Sequence, residues 1–228
     1  MKGNGDNDKL LIANYILPEQ FVLRNSRFCG SLQGKPIECI INGINIRYAR
    51  YVTYHSGNCV VDDTVSARME ALANWLVDSP RCSLLLIGGT GSGKTSIAIT
   101  LAQALQLDKV GVCFTSATDI IRSFLHDVNG DLSLQKYFRY RVLVIDDLGL
   151  EPTKCYQYGT QYTPIEDIIR KRSDMRMITI VCTSLNQNEL RERYPASIYD
   201  RLGFEYEHLF LGDESYRRVL NEKLIQQQ

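Results

Sequence analysis

The 228 residues are 44% hydrophobic, enough to bury one full core of a mid-sized domain with room for a small appendage. Lysine plus arginine and aspartate plus glutamate number 26 each, so no global field favours nucleic acid and a non-specific DNA coat is disfavoured. No apolar run approaches the ~20 residues of a membrane span, and Met1-Lys2-Gly3-Asn4-Gly5-Asp6 has no apolar signal core, so a soluble, cytoplasmic protein is expected.

Residues 1–66 stand apart as a segment for partner docking or packing. They lack helical periodicity beyond the opening, and with seven basic and six acidic residues they are no basic arm. Within them Cys39-Ile40-Ile41-Asn42-Gly43-Ile44-Asn45-Ile46 places Asn-Gly between two apolar runs, which predicts a two-residue β-hairpin. From about residue 67 a second organisation begins. Met69, Leu72, Ala73 and Leu76 fall at helical spacing beside Trp75, and Asp78-Ser79-Pro80 ends that helix. The apolar run Leu84-Leu85-Leu86-Ile87 then leads, as a buried strand, into Gly88-Gly89-Thr90-Gly91-Ser92-Gly93-Lys94-Thr95-Ser96.

That glycine-rich turn is the most informative segment of the chain. Its glycines let successive backbone N–H groups converge on a phosphate, Lys94 can neutralise β/γ oxygens, and the Thr95 hydroxyl can hold Mg2+. A helix predicted from Ser96 to Leu105 turns its positive end toward the same anion. ATP and Mg2+ are the ligands this implies.

Downstream, β-branched runs alternate with helical patterns, the sign of a parallel sheet covered on both faces. Val110 to Thr115 reads as a strand, and Ala117 to Val128 as a helix capped by Ser116 and stopped by Asn129-Gly130. Lys136-Tyr137-Phe138-Arg139-Tyr140-Arg141 interleaves cations with aromatics, a pattern suited to stacking on unpaired bases or to a packed helix end. Val142 to Ile145 is the next strand and closes on Asp146-Asp147, where Asp146 can hold Mg2+ and Asp147, or the nearby Glu151, can polarise an attacking water. A loop to about Tyr162 leads through Pro164 into a helix ending at Arg170-Lys171-Arg172, cations that suit either phosphate binding or a helix C-terminus. Met177 to Cys182 is a buried strand. Short helices follow near Asn188 to Arg193 and Ser197 to Leu202, then a strand at Tyr206 to Leu211 and a terminal helix from Asp213.

Seven cysteines are scattered without a C-x-x-C pair. Cys29, Cys39 and Cys59 with His55 form a candidate zinc set, but their spacings are loose, so structural thiols are expected.

Leu143-Val144-Ile145-Asp146-Asp147-Leu148-Gly149 resembles the acidic motif of the DnaC/DnaI helicase-loader and IstB transposition-helper ATPases, a branch of the AAA+ proteins. Thr183-Ser184-Leu185-Asn186 looks like the family's sensor 1, Ile198-Tyr199-Asp200-Arg201-Leu202 like its arginine-finger box, and Ser215-Tyr216-Arg217 like its sensor 2. The resemblance runs from about Ala67 to Leu220. It implies an α/β P-loop fold with a five-stranded parallel sheet flanked by helices. It also implies slow or stimulated ATP hydrolysis, with Arg201 reaching a neighbouring subunit's ATP in a homo-oligomer formed on ATP binding. Ser184 and Asn186 both stand as candidate sensors, because Leu185 intervenes. Only 27 residues follow Arg201, too few for a separate helical lid.

Family members of this kind bind single-stranded DNA and a hexameric helicase, or direct a transposase. Those partners are the expectation here. The competing readings are an ATP-dependent scaffold or partner-remodelling protein that never touches DNA and, third, a small-molecule kinase.

Overall fold

The computed structural model describes residues 37–56, 59, 62–79, 81, 83–107, 110–127, 131–212 and 215. Five parallel strands form its centre: β1 (Ser83–Ile87), β2 (Val112–Ser116), β3 (Val142–Leu148), β6 (Ile178–Thr183) and β7 (Tyr206–Phe210), in the spatial order β2-β3-β6-β1-β7. Every residue of β1 and β6 is buried, because helices cover both faces. Side chains alternate between two cores. Leu84, Leu86, Val142, Val144, Ile178, Ile180 and Cys182 point one way, and Leu85, Ile87, Leu143, Ile145 and Val181 the other.

The first core is closed by α1 (Ile37–Ser56), α2 (Asp63–Asp78) and α3 (Lys94–Leu107). Asp62 caps α2 by accepting the Val65 N–H at 2.8 Å. The second core is closed by α4 (Ala117–His126), α6 (Pro164–Asp174), α7 (Gln187–Arg193) and α8 (Ala196–Phe204), with a short α5 (Asp131–Gln135) running into a 3-10 turn at Lys136–Phe138. The predicted Ser116 cap of α4 is present, its hydroxyl accepting the Asp119 N–H at 3.0 Å. The predicted stop at Asn129-Gly130 and the terminal helix from Asp213 lie outside the described residues.

The expected hairpin over Cys39–Ile46 is overturned, since those residues form two turns of α1. Ile40, Ile44 and Tyr48, spaced four apart, are buried against Met69, Leu72, Ile97 and Leu101. A mid-helix glycine costs roughly 0.5–1 kcal/mol, whereas burying one large apolar side chain contributes about 1.5–3 kcal/mol. Three such anchors outweigh the Asn42-Gly43 turn preference. Arg47 also donates to the Gly43 carbonyl at 2.9 Å, tying the glycine into the helix surface.

Within the sheet, β2 lies at one edge beside β3, and β6 separates β3 from β1. The long loop after Asp147 contains an antiparallel ribbon, β4 (Cys155–Gln157) paired with β5 (Thr160–Tyr162), turning through Tyr158 and Gly159 at positive φ. No helix among the described residues is long and apolar enough to cross a membrane.

Candidate functional site

The glycine-rich loop leaves β1 at the carboxyl edge of the sheet and ends where α3 begins with Lys94. Its entry is stitched to neighbouring strands: the Gly88 N–H donates to the Thr183 carbonyl at 3.3 Å and the Gly89 N–H to the Gly212 carbonyl at 2.9 Å. Gly91 (φ 87°) and Gly93 (φ 96°) hold the left-handed conformations that let the chain turn back on itself. A Cβ at Gly91 would also overlap the Ser215 hydroxyl, so Ser215 rests against this loop. Lys94 is only 7% exposed, and its Nζ donates to the Gly88 and Gly89 carbonyls, both at 2.8 Å. Ser92 Oγ is buried without a hydrogen-bond partner among the described residues.

The acidic pair ends β3 two strands away. Pairing of β3 with β6 shifts register between Ile145 and Leu148, a bulge that aims the two carboxylates differently. Asp146 is 7% exposed; its Oδ1 accepts from the Thr95 hydroxyl at 3.3 Å and from the Asp147 N–H at 3.1 Å. Beneath it, burial together with the Asp146 carboxylate pushes the Cys182 thiol well above its ordinary value, so the sulfur keeps its proton and donates to Asp146. Asp147 adopts φ 55° and turns outward.

Thr90, Gly91, Gly93, Lys94, Thr95 and Ser96 line one side of a cleft of about 540 Å3. Asp147, Leu150 and Ser184 line another side. That volume falls within the range of about 300–1,000 Å3 usual for small-molecule sites. The third wall was not foreseen from the sequence. It is made by Tyr48, Tyr51, Val52 and His55 of α1, at positions i, i+3, i+4 and i+7 of one helical stripe. That spacing was readable, but the Asn-Gly hairpin reading hid it.

Several candidates are sorted by their surroundings. Ser184 faces the cleft, whereas Asn186 caps α7, accepting from the Asn188 and Glu189 N–H groups at 2.9 and 3.0 Å, with Glu189 returning a bond to the Asn186 N–H. Glu151 is 1% exposed and fully engaged: it accepts from the Gly149 N–H at 2.7 Å and from the Tyr194 hydroxyl, while the Arg193 guanidinium lies 3.9 Å away. Burial and the Glu151 carboxylate raise the Tyr194 phenol, which therefore remains the donor. Arg201 is outside the cleft lining; it pairs with Asp174 at 2.9 Å and Glu205 at 3.3 Å and donates to Ser173 Oγ at 2.9 Å. Arg217 lies outside the described residues.

The alternatives left open for the two cationic stretches are narrowed in part. Arg172 has no exposed surface and donates to the carbonyls of Tyr137, Tyr140, Arg141 and Ile178 and to Thr179 Oγ1, which excludes it from phosphate binding. Burial lowers its guanidinium to about 10, still protonated at neutral pH. Tyr137 is buried, and Lys171 covers the Phe138 ring at 4.5 Å. Among the described residues no three His, Cys, Asp or Glu side chains cluster as a metal site, so Cys39, Cys59 and His55 form no zinc centre with one another; Cys29 lies outside them.

A phosphate-type loop after β1, one strand interposed before the acidic strand, and helices on both faces make a P-loop fold of the AAA+ type. Residues 66–223 match the family described as IstB-like ATP binding protein, and the chain belongs to that family. No curated protein matches the sequence. Among solved structures it is similar to the DnaC helicase loader (20% identity, TM-score 0.55, covering 71% of this chain and 98% of that one). It is also similar to DnaI (18%, 0.54, 68% and 88%) and to AMPPCP-bound DnaA from Aquifex aeolicus (15%, 0.57, 76% and 55%). The chain thus spans about half the length of that DnaA.

Proposed function

We propose that this protein binds and hydrolyses ATP as a conformational switch, and that it acts on single-stranded DNA together with a hexameric helicase or a transposase. One observation carries the nucleotide part. Residues 51 positions apart, Thr95 and Asp146, meet at 3.3 Å beside a buried lysine inside a phosphate-shaped loop. In binding ATP, Lys94 exchanges the Gly88 and Gly89 carbonyls for β/γ phosphate oxygens. Ser92 supplies a buried hydroxyl to the same loop. Thr95 and Asp146 offer the hard oxygen ligands that suit Mg2+, which when bound would neutralise charge on the phosphates. Asp147, exposed in the cleft, orients and polarises water, and Ser184 can hydrogen-bond the water or the γ-phosphate without adding charge. Glu151, buried and saturated, braces the loop that carries Asp147. Arg201 serves a neighbouring copy's ATP in an assembly.

The DNA part rests on family membership and on the likeness to a helicase loader. Withdrawal of Tyr137 and Arg172 into the interior favours the second reading, a partner-remodelling ATPase without DNA contact. Steady-state hydrolysis with and without single-stranded DNA separates the two. Stimulation of at least several-fold is expected, and a rate indifferent to DNA at saturating concentration would select the DNA-free role.

A further inference from the structure

We propose that α1 forms the nucleobase wall of the ATP cleft, with Tyr51 and His55 as the surface on which the base stacks. The inference rests on the reading of the loop as an ATP site and extends it to a helix outside the residues 66–223 matched by the family.

Chemistry divides the cleft. The loop side presents Lys94, Thr95, Ser96 and backbone amides, groups suited to phosphate and metal; the facing side presents Asp147 and Ser184, suited to water, with the aliphatic Leu150 beside them and no aromatic ring. Among the described residues, the aromatic side chains that line the cleft, Tyr48, Tyr51 and His55, all come from α1. Tyr48 is buried in the core, and its hydroxyl lies 3.4 Å from where a Cβ on Gly93 would sit, which fixes the helix directly over the phosphate loop. One turn further along, the Tyr51 and His55 rings lie 4.4 Å apart at 45°, and Tyr54 and His55 meet edge-on at 5.0 Å. Tyr51, Val52 and His55 border the cleft. A triphosphate seated on the loop carries its ribose and base past Ser96, and α1 supplies the aromatic and apolar surface beside that exit.

Stacking engages the flat face of a base and not its hydrogen-bonding edge. The wall therefore sets affinity and the plane of the ring, and leaves discrimination between purines to other groups.

The test compares ATP with inorganic tripolyphosphate, which keeps the phosphates and lacks the base, by calorimetry on the full chain. The double variant Tyr51→Ala, His55→Ala is expected to weaken ATP by roughly 5- to 150-fold, the range for loss of one stacked base, while tripolyphosphate affinity stays unchanged. Tyr51→Phe, which keeps the ring and the packing of α1, should retain ATP affinity. Equal weakening of both ligands, or of neither, overturns the wall. Lys94→Ala serves as the separate control. If tripolyphosphate binds the parent and Lys94→Ala equally well, the ATP-site reading itself falls, and the wall falls with it.

Discussion

Asp146 and Asp147 share a side-chain type and a peptide bond, yet the bulge at the end of β3 gives them opposite surroundings. One is buried and bonded to Thr95; the other stands in the cleft at a left-handed φ of 55°. Such a backbone costs a non-glycine residue of order 1 kcal/mol or more and persists where neighbouring structure enforces it. Here the enforcing contacts are the Asp147 N–H on Asp146 Oδ1 and the Gly149 N–H on Glu151. Asp147→Asn is accordingly expected to keep ATP binding and lower turnover by about 10²-fold or more, the usual yield of a positioned general base. Unchanged steady-state hydrolysis would remove Asp147 from the chemistry. The acid pair was legible in the sequence because a strand ending in carboxylates is a local pattern. The choice between Asp147 and Glu151, or between Ser184 and Asn186, was not, since it depends on which side chain is already consumed by a neighbour such as Tyr194 or a helix cap.

At the scale of elements, the buried Arg172 replaces what would otherwise be a defect. The segment 137–141 turns sharply before β3, and its carbonyls would point into a closed interior. Five donors on one planar guanidinium satisfy Tyr137, Tyr140, Arg141 and Ile178 together with Thr179. Arg172→Ala should lower unfolding free energy by at least ~3 kcal/mol, given about 1–3 kcal/mol for each buried group left unsatisfied, as read from a urea midpoint. Preserved stability with weakened DNA binding would restore the phosphate-binding role expected of Arg170-Lys171-Arg172. The α1 misreading has the same origin. Asn42-Gly43 is a strong signal over two residues, but Ile40, Ile44 and Tyr48 matter only once α2 and α3 are there to receive them. Strands and helices of the sheet, by contrast, were visible within a residue or two, because each carries its own apolar run; β3 is the exception, running on past Ile145 to Leu148. The β4–β5 ribbon escaped notice because its strands are three residues each and largely exposed.

For the whole molecule, strand order bears on the fold. Interposing β6 between β1 and β3 gives the AAA+ type of sheet, whereas nucleotide kinases usually place the acidic strand beside the loop strand. It also puts Arg201 on α8, away from the cleft of its own chain and held by Asp174, Glu205 and Ser173. If assembly recruits this arginine, Arg201→Ala leaves ATP affinity intact and abolishes the rise in specific activity with protein concentration. Equal concentration dependence in parent and variant, with only the ~0.2–1 kcal/mol stability loss of a partly exposed ion pair, would leave Arg201 as a surface tie.

The account turns on a nucleotide held between Lys94 and the Thr95–Asp146 pair, and calorimetric titration of Mg-ATP into the Lys94→Ala protein tests it most directly. Binding should be lost or reduced by several orders of magnitude while the thermal unfolding of the nucleotide-free protein stays close to that of the parent. An undiminished affinity in the folded variant would contradict the account.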